Sequence, residues 1–215
     1  LDKRTRRFIV YAIGMLVLAL GLTLKIKANL GVSPIISVPY SISQITGYNF
    51  GDLTFVVYAI FVVVQIVIHV KLKKNNKIVF DVLQLPLSLV FTRLLNIFSV
   101  YIPTSQNLGI RFIVLAFAII CTGIGAAMSL SMQLVPNPGD GIVQALAERF
   151  NKSVGLTKNL FDCFNLCITL CISIFIVQQI VGVGIGTVIA VLGVGRVIAL
   201  CHHIFESKIE ELNCE

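Results

Sequence analysis

Charge is scarce in this chain. Only 13% of its 215 residues are charged, while 57% are hydrophobic. No soluble domain can bury that much apolar surface, so a water-soluble globular fold is excluded. Cysteine is absent from every segment expected to face outward, which excludes an extracellular disulfide framework. No small-residue cleavage site follows the charged start LDKRTRR, so that start reads as an uncleaved first helix. A first residue Leu in place of Met reads as a clipped or lost start, or a leucine-type start codon. The glycine-rich VGVGIGTVIAVLGVGRV has no Walker lysine after it and no soluble strand before it, so it is not a nucleotide loop. Hydrolytic triads, metalloprotease motifs and redox pairs are missing too, so neither an enzyme nor a bound cofactor or metal is expected.

What is present is a series of long apolar runs, near 8–28, 53–70, 79–100, 111–133, 156–177 and 180–202. Each supplies the roughly 20 residues that a tilted helix needs to cross about 30 Å of hydrocarbon. With the N-terminus inside, Lys3, Arg4, Arg6, Arg7, Lys71, Lys73, Lys74, Lys77, Arg149, Lys152, Lys158 and Lys208 lie on the inner side, against Lys25, Lys27 and Arg111 outside. That bias predicts six crossings with both termini cytoplasmic. It also accounts for the net charge of +7 without a nucleic-acid partner.

The chain is written twice. Shifted by 104 residues, Gly21 falls on Gly125, Ser33-Pro34 on Asn137-Pro138, and Gly51 on Gly155, and a shift of 103 brings Arg93 onto Arg196. Each unit, 8–101 and 111–204, holds a span, a broken stretch with a short helix, and two further spans. Three crossings per unit turn the second unit over. The expected fold is therefore an all-α membrane protein with six transmembrane helices in an inverted 3+3 repeat.

The broken stretches have a local cause. Ser33 and Asn137 suit the N-cap, and the proline after each suits the first helical position, where no amide hydrogen is needed. The short helices, near 34–47 and 139–151, are amphipathic, which fits two placements. They can rest on the bilayer surface, or re-enter and aim their first-turn amides at a solute.

Polar residues inside the spans form stripes. Tyr58, Gln65 and His69 share one face of the second span, and Asp162, Asn165, Thr169 and Ser173 one face of the fifth, in matching register. The match suggests that the stripes face each other or a common wet cavity. A carboxylate at Asp162 costs roughly 2.5–3.5 kcal/mol on insertion scales, which calls for a task or for pairing with Lys158. Arg93 and Arg196 read either as snorkelling arginines or as a symmetric pair gripping an anionic group. Cys163, Cys167 and Cys171 read as small thiols packing as hydrophobes rather than as a soft-metal site. Gly182, Gly186, Gly193, Gly123 and Gly125 read as places of close helix approach.

The stretches GLTLKIKANLGVSPIISVPYSISQITGYNFG, NPGDGIVQALAERF with VGLTKN, and GVGIGTVIAVLGVGRVI resemble the YczE/YyaS/YitT-type bacterial membrane proteins. The resemblance implies a multi-pass protein of the bacterial plasma membrane and adds no settled activity. The functional expectation is a secondary transporter or exporter of a small anionic or zwitterionic solute, with candidate binding residues Ser33, Tyr58, Gln65, Asn137, Asp140, Asp162, Asn165, Arg93 and Arg196. The rival is a non-transporting accessory protein that binds a partner or a lipid-linked substrate and uses its polar stripes as helix-packing glue. The sequence leaves solute, coupling ion and oligomeric state open.

Overall fold

The computed structural model describes residues 2–213. The readings placed on Leu1 and on the side chain of Lys208 lie outside the described residues. Among the described residues eight helices follow in order: α1 (Lys3–Ala28), α2 (Pro34–Thr46), α3 (Phe50–Lys71), α4 (Asn75–Tyr101), α5 (Leu108–Ser131), α6 (Pro138–Phe150), α7 (Val154–Val177) and α8 (Ile185–Asn213). Among the described residues the chain is all-α. Five helices, α1, α3, α4, α5 and α7, are long and apolar enough to cross a membrane. The chain therefore has the character of a multi-pass membrane protein.

The order long, short, long, long occurs twice, and local chemistry explains the boundaries. The Asn49 side chain accepts from the Asp52 N–H at the start of α3, and the Ser153 side chain from the Leu156 N–H at the start of α7. These caps stand 104 residues apart. The left-handed residues keep the same spacing: Asn29 (φ 50) with Gln133 (φ 49), and Gly47 (φ 75) with Asn151 (φ 53). Left-handed residues end helices because they turn the chain and leave the last carbonyls accessible to a donor.

The sixth expected span begins later than the sequence suggests. Helix α8 begins at Ile185 rather than 180, and among the described residues its apolar part is Ile185–Cys201. The turn glycine Gly182 (φ 82) explains the late start. The first turn of α8 is then pinned by the Gly186 N–H donating to the Leu30 carbonyl at 2.7 Å. Gly182 thus shapes a turn and is not the helix-packing glycine expected of it.

The chain folds as two compact units, and neither coincides with a sequence half. Unit 1 comprises residues 1–33, 94–134 and 184–215, so it holds α1, α5, α8 and the end of α4. In it α1 and α5 run antiparallel: Gly14 packs at Ser129, Gly21 at Thr122, and Gly125 at Leu18. A Cβ on Gly21 would sit 2.5 Å from the Thr122 backbone nitrogen, and one on Gly125 2.4 Å from that of Leu18. Backbones this close need glycine, as expected for Gly125. Gly123 leaves room for the Val197 side chain and Gly193 for that of Ile119, where α5 meets α8. Ala28, Leu115, Ile119 and Ala190 form an apolar cluster in the core of this unit.

Unit 2 comprises residues 34–93 and 135–183, and it holds α2, α3, most of α4, α6 and α7. Each short helix packs along the long helix of the other sequence half, α2 on α7 and α6 on α3. Ile142, Val143 and Phe161 make an apolar cluster in its core. Phe61 meets Phe161 edge-on, with ring centroids 5.3 Å apart.

Candidate functional site

Asn137 starts the site. It caps α6 by accepting from the Gly139 N–H at 3.0 Å, with Pro138 at the first helical position, as the sequence predicts. The cap brings Asp140 into the first turn of α6, where the helix dipole favours a negative charge. Tyr58, 2% exposed on α3, engages the Asn137 side chain and lies in the field of Asp140. Asp140 keeps part of its surface accessible but is crowded by protein. Burial raises its carboxyl above the usual range, and the Lys158 ammonium pulls the other way.

Lys158 thereby serves two carboxylates. Its Nζ lies 3.8 Å from Asp162 Oδ2, one turn further along α7. Asp162 is 8% exposed, whereas the lysine side chain is nearly half exposed. Asn165, a turn beyond Asp162, donates its side-chain amide to the Phe161 carbonyl at 2.7 Å.

Below Tyr58 on α3, Gln65 forms a reciprocal amide pair with Gln84 of α4, at 3.1 and 2.9 Å. Gln65 also donates to the Pro138 carbonyl at 3.3 Å, which ties the start of α6 to the α3–α4 hairpin. Gly141 makes room for this amide pair, because a Cβ there would sit 2.4 Å from Gln65 Oε1. One turn on, His69 Nδ1 meets Asp81 Oδ2 at 2.6 Å, with both residues buried.

Six expected residues, Tyr58, Gln65, Asn137, Asp140, Asp162 and Asn165, thus belong to unit 2 along α3, α6 and α7. Arg93 belongs there too, but its guanidinium donates to Asp52 at 2.8 Å on an exposed part of the α3–α4 hairpin. Ser33 and Arg196 belong to unit 1. The Ser33 hydroxyl accepts from Lys25 Nζ at 2.9 Å, and Lys25 is only 1% exposed; Arg196 is exposed on α8.

The stripes expected to face each other meet other helices. Gln65 and His69 bond to α4, while Thr169 bonds to Ser37 of α2 at 2.7 Å and Ser173 to Ser41 at 3.0 Å. The three cysteines of α7 are exposed, so that stripe faces outward rather than into a core. Among the described residues no cluster of three or more His, Cys, Asp or Glu could hold a metal ion.

Reading the spans one at a time misses Asp81 and Gln84. A signal was available: Asp81, Gln84, Ser88 and Thr92 recur at helical spacing along α4, and all four are buried.

Searches for similar curated proteins and for similar solved structures found no match. The family of unknown function DUF6198 matches residues 5–203, nearly the whole chain. The chain belongs to that family.

Proposed function

We propose that this protein is a small secondary transporter or exporter that takes its solute at the start of α6. The observation that carries the reading is the convergence of Tyr58, Asn137, Asp140, Lys158 and Asp162 in one unit of a chain with five span-length apolar helices. Ionisable groups placed within span-length helices mark solute or proton pathways more often than they mark packing. Two carboxylates against one ammonium oppose a purely anionic solute and favour a zwitterion, whose ammonium would meet Asp140 or Asp162. The reading involves no catalysis, cofactor or nucleic acid, and its partners are the bilayer and the solute.

The proposal includes the inverted 3+3 repeat, with α8 completing six crossings, both termini cytoplasmic, in a bacterial plasma membrane. Three reciprocal contacts support it. Arg7 reaches the Met132 carbonyl while Arg111 reaches that of Ala28; Gly21 packs at Thr122 while Gly125 packs at Leu18; Ser37 meets Thr169 while Gly141 meets Gln65. In each set the second contact is the first with its two partners shifted by 104 in opposite directions. A two-fold axis generates such contacts. Within unit 1 it lies across the helices, because α1 and α5 run antiparallel. Kinship to the YczE/YyaS/YitT-type proteins is proposed on the shared motifs alone.

The accessory-protein reading draws on one observation. Thr169 and Ser173 spend their hydroxyls on α2, as packing glue would.

Thermal unfolding of the purified protein, screened across zwitterionic, anionic and cationic metabolites, tests the choice. Transport predicts stabilisation by one class, lost in Asp162→Asn. No stabilisation by any class, or stabilisation indifferent to Asp162→Asn and Tyr58→Phe alike, overturns it.

A further inference from the structure

We propose that the His69–Asp81 pair is a proton-binding site whose loading is passed to α6 through the Gln65–Gln84 amide pair. The inference rests on the transport reading and supplies its coupling ion. His69 is 5% exposed and Asp81 3%, and the two touch at 2.6 Å. Direct contact leaves no space for a metal ion between them, and one imidazole with one carboxylate is too few donors for sodium or a divalent ion. A proton is the ligand that fits.

The exchange balances simply. In the unloaded pair, Nδ1–H donates to the Asp81 carboxylate and Nε2 carries a lone pair, so a net charge of −1 is buried. In the loaded pair, one proton from water sits on Nε2, and imidazolium and carboxylate sum to zero.

The surroundings are basic but largely committed. The α3–α4 turn carries Lys71, Lys73, Lys74 and Lys77, and Glu148 of α6 accepts from Lys74 at 2.8 Å and from Lys77 at 2.5 Å. Arg149 is the other charged group in the last turns of α6, and Tyr40 is the titratable group that α2 contributes. The pair also has a way of reporting its state. Gln65 and Gln84 stand one turn away on the same two helices, and Gln65 holds the Pro138 carbonyl at the start of α6. A shift of α3 against α4 on unloading would move that amide pair and, with it, the turn that carries Asn137 and Asp140.

The test uses the full chain in lipid nanodiscs with nitrogen-15 in the imidazoles. The chain has three histidines, so His202→Gln with His203→Gln leaves His69 as the only imidazole, with the pair untouched. Magnetic resonance across about pH 5–9 should show a single imidazole taking one proton, with a response that differs in Asp81→Asn. A fluorophore on Gln144→Cys, on the exposed face of α6 in a cysteine-depleted chain, should follow the same midpoint. Gln84→Leu should abolish the fluorescence response and keep the imidazole titration. An imidazole that does not titrate, or titrates identically in Asp81→Asn, overturns the proton site. A titrating imidazole with a silent fluorophore overturns the coupling to α6. No solute enters either measurement, so failure of the solute screen is a separate result.

Discussion

Arg7 and Arg111 hold each other's helix partners. Arg7 donates to the Met132 carbonyl at the end of α5 at 2.6 Å, and Arg111 Nε donates to the Ala28 carbonyl at the end of α1 at 2.8 Å, with a further bond to the Asn29 carbonyl. Each arginine sits in the first turns of its own helix and neutralises the carbonyl end of its antiparallel neighbour.

Replacing either arginine by alanine should therefore destabilise the purified protein by about 1–2 kcal/mol, with Arg111→Ala the larger loss because two carbonyls lose their donor. The double variant should show nearly the sum, since the sites lie at opposite ends of the helix pair. Arg111→Lys should recover little, because one ammonium does not reproduce a planar fork. Thermal unfolding in detergent measures all four; a neutral Arg111→Ala would discredit the capping role.

Glycine substitutions should separate by what the new Cβ meets. Gly21→Ala and Gly125→Ala press on backbone atoms of the facing helix and should each cost about 1–3 kcal/mol. Gly155→Ala meets nothing within 4 Å near the start of α7 and should be neutral or stabilising by a few tenths to about 1 kcal/mol. Equal losses at all three sites would contradict the close approach of α1 and α5.

The topology is open to direct measurement. With Asn75→Cys and Ser105→Cys placed singly on a cysteine-depleted background, a membrane-impermeant thiol reagent should reach position 105 from outside and position 75 only after the membrane is opened. Outside labelling at 75 would remove the inverted arrangement.

Glu148 gives a pH dependence with a defined sign. Burial raises its pKa, but hydrogen bonds and charge from Lys74 and Lys77 outweigh it and hold the carboxyl below its ordinary 4.5. A carboxylate depressed in the fold adds stability above its unfolded pKa and loses it as pH falls through the folded value. Glu148→Gln should therefore be less stable than the parent at neutral pH, with the gap closing below about pH 4. A gap that widens on acidification would reverse the assignment.

Asp162 and Lys158 separate a solute role from a local ion pair. If Asp162 meets the solute, Asp162→Asn should abolish coupled transport in proteoliposomes while the fold survives. If it serves Lys158 alone, Asp162→Asn and Lys158→Gln should both leave transport intact. Lys158→Gln carries a second consequence, because it removes the cation shared by Asp140 and Asp162. That variant should bind a zwitterion more weakly at neutral pH than Asp162→Asn does only if the solute's carboxylate meets Lys158.

The sequence by itself determined the class of protein and most of its helix ends, those of α8 excepted. Hydropathy and length identify span-length helices because only a lipid environment suits such runs, and Asn137 followed by Pro138 marks a helix start by local chemistry alone. The 104-residue spacing of Gly21 with Gly125 and of Ser33-Pro34 with Asn137-Pro138 was legible for the same reason, because caps and close-packed glycines answer to their immediate backbone, whereas the left-handed residues at that spacing emerged only from the structure. What sequence could not decide was which helix each polar stripe meets. A period of three and four residues shows that Gln65 and His69 share a face, but is silent on whether that face meets α7 or α4. Only the tertiary structure gives Gln65 to Gln84, His69 to Asp81, and Thr169 to Ser37. The physical reason is that periodicity is a property of one helix, whereas pairing depends on which backbones can approach. That was settled by Gly141 and by the small hydroxyls Ser37 and Ser41 on two helices too short to span.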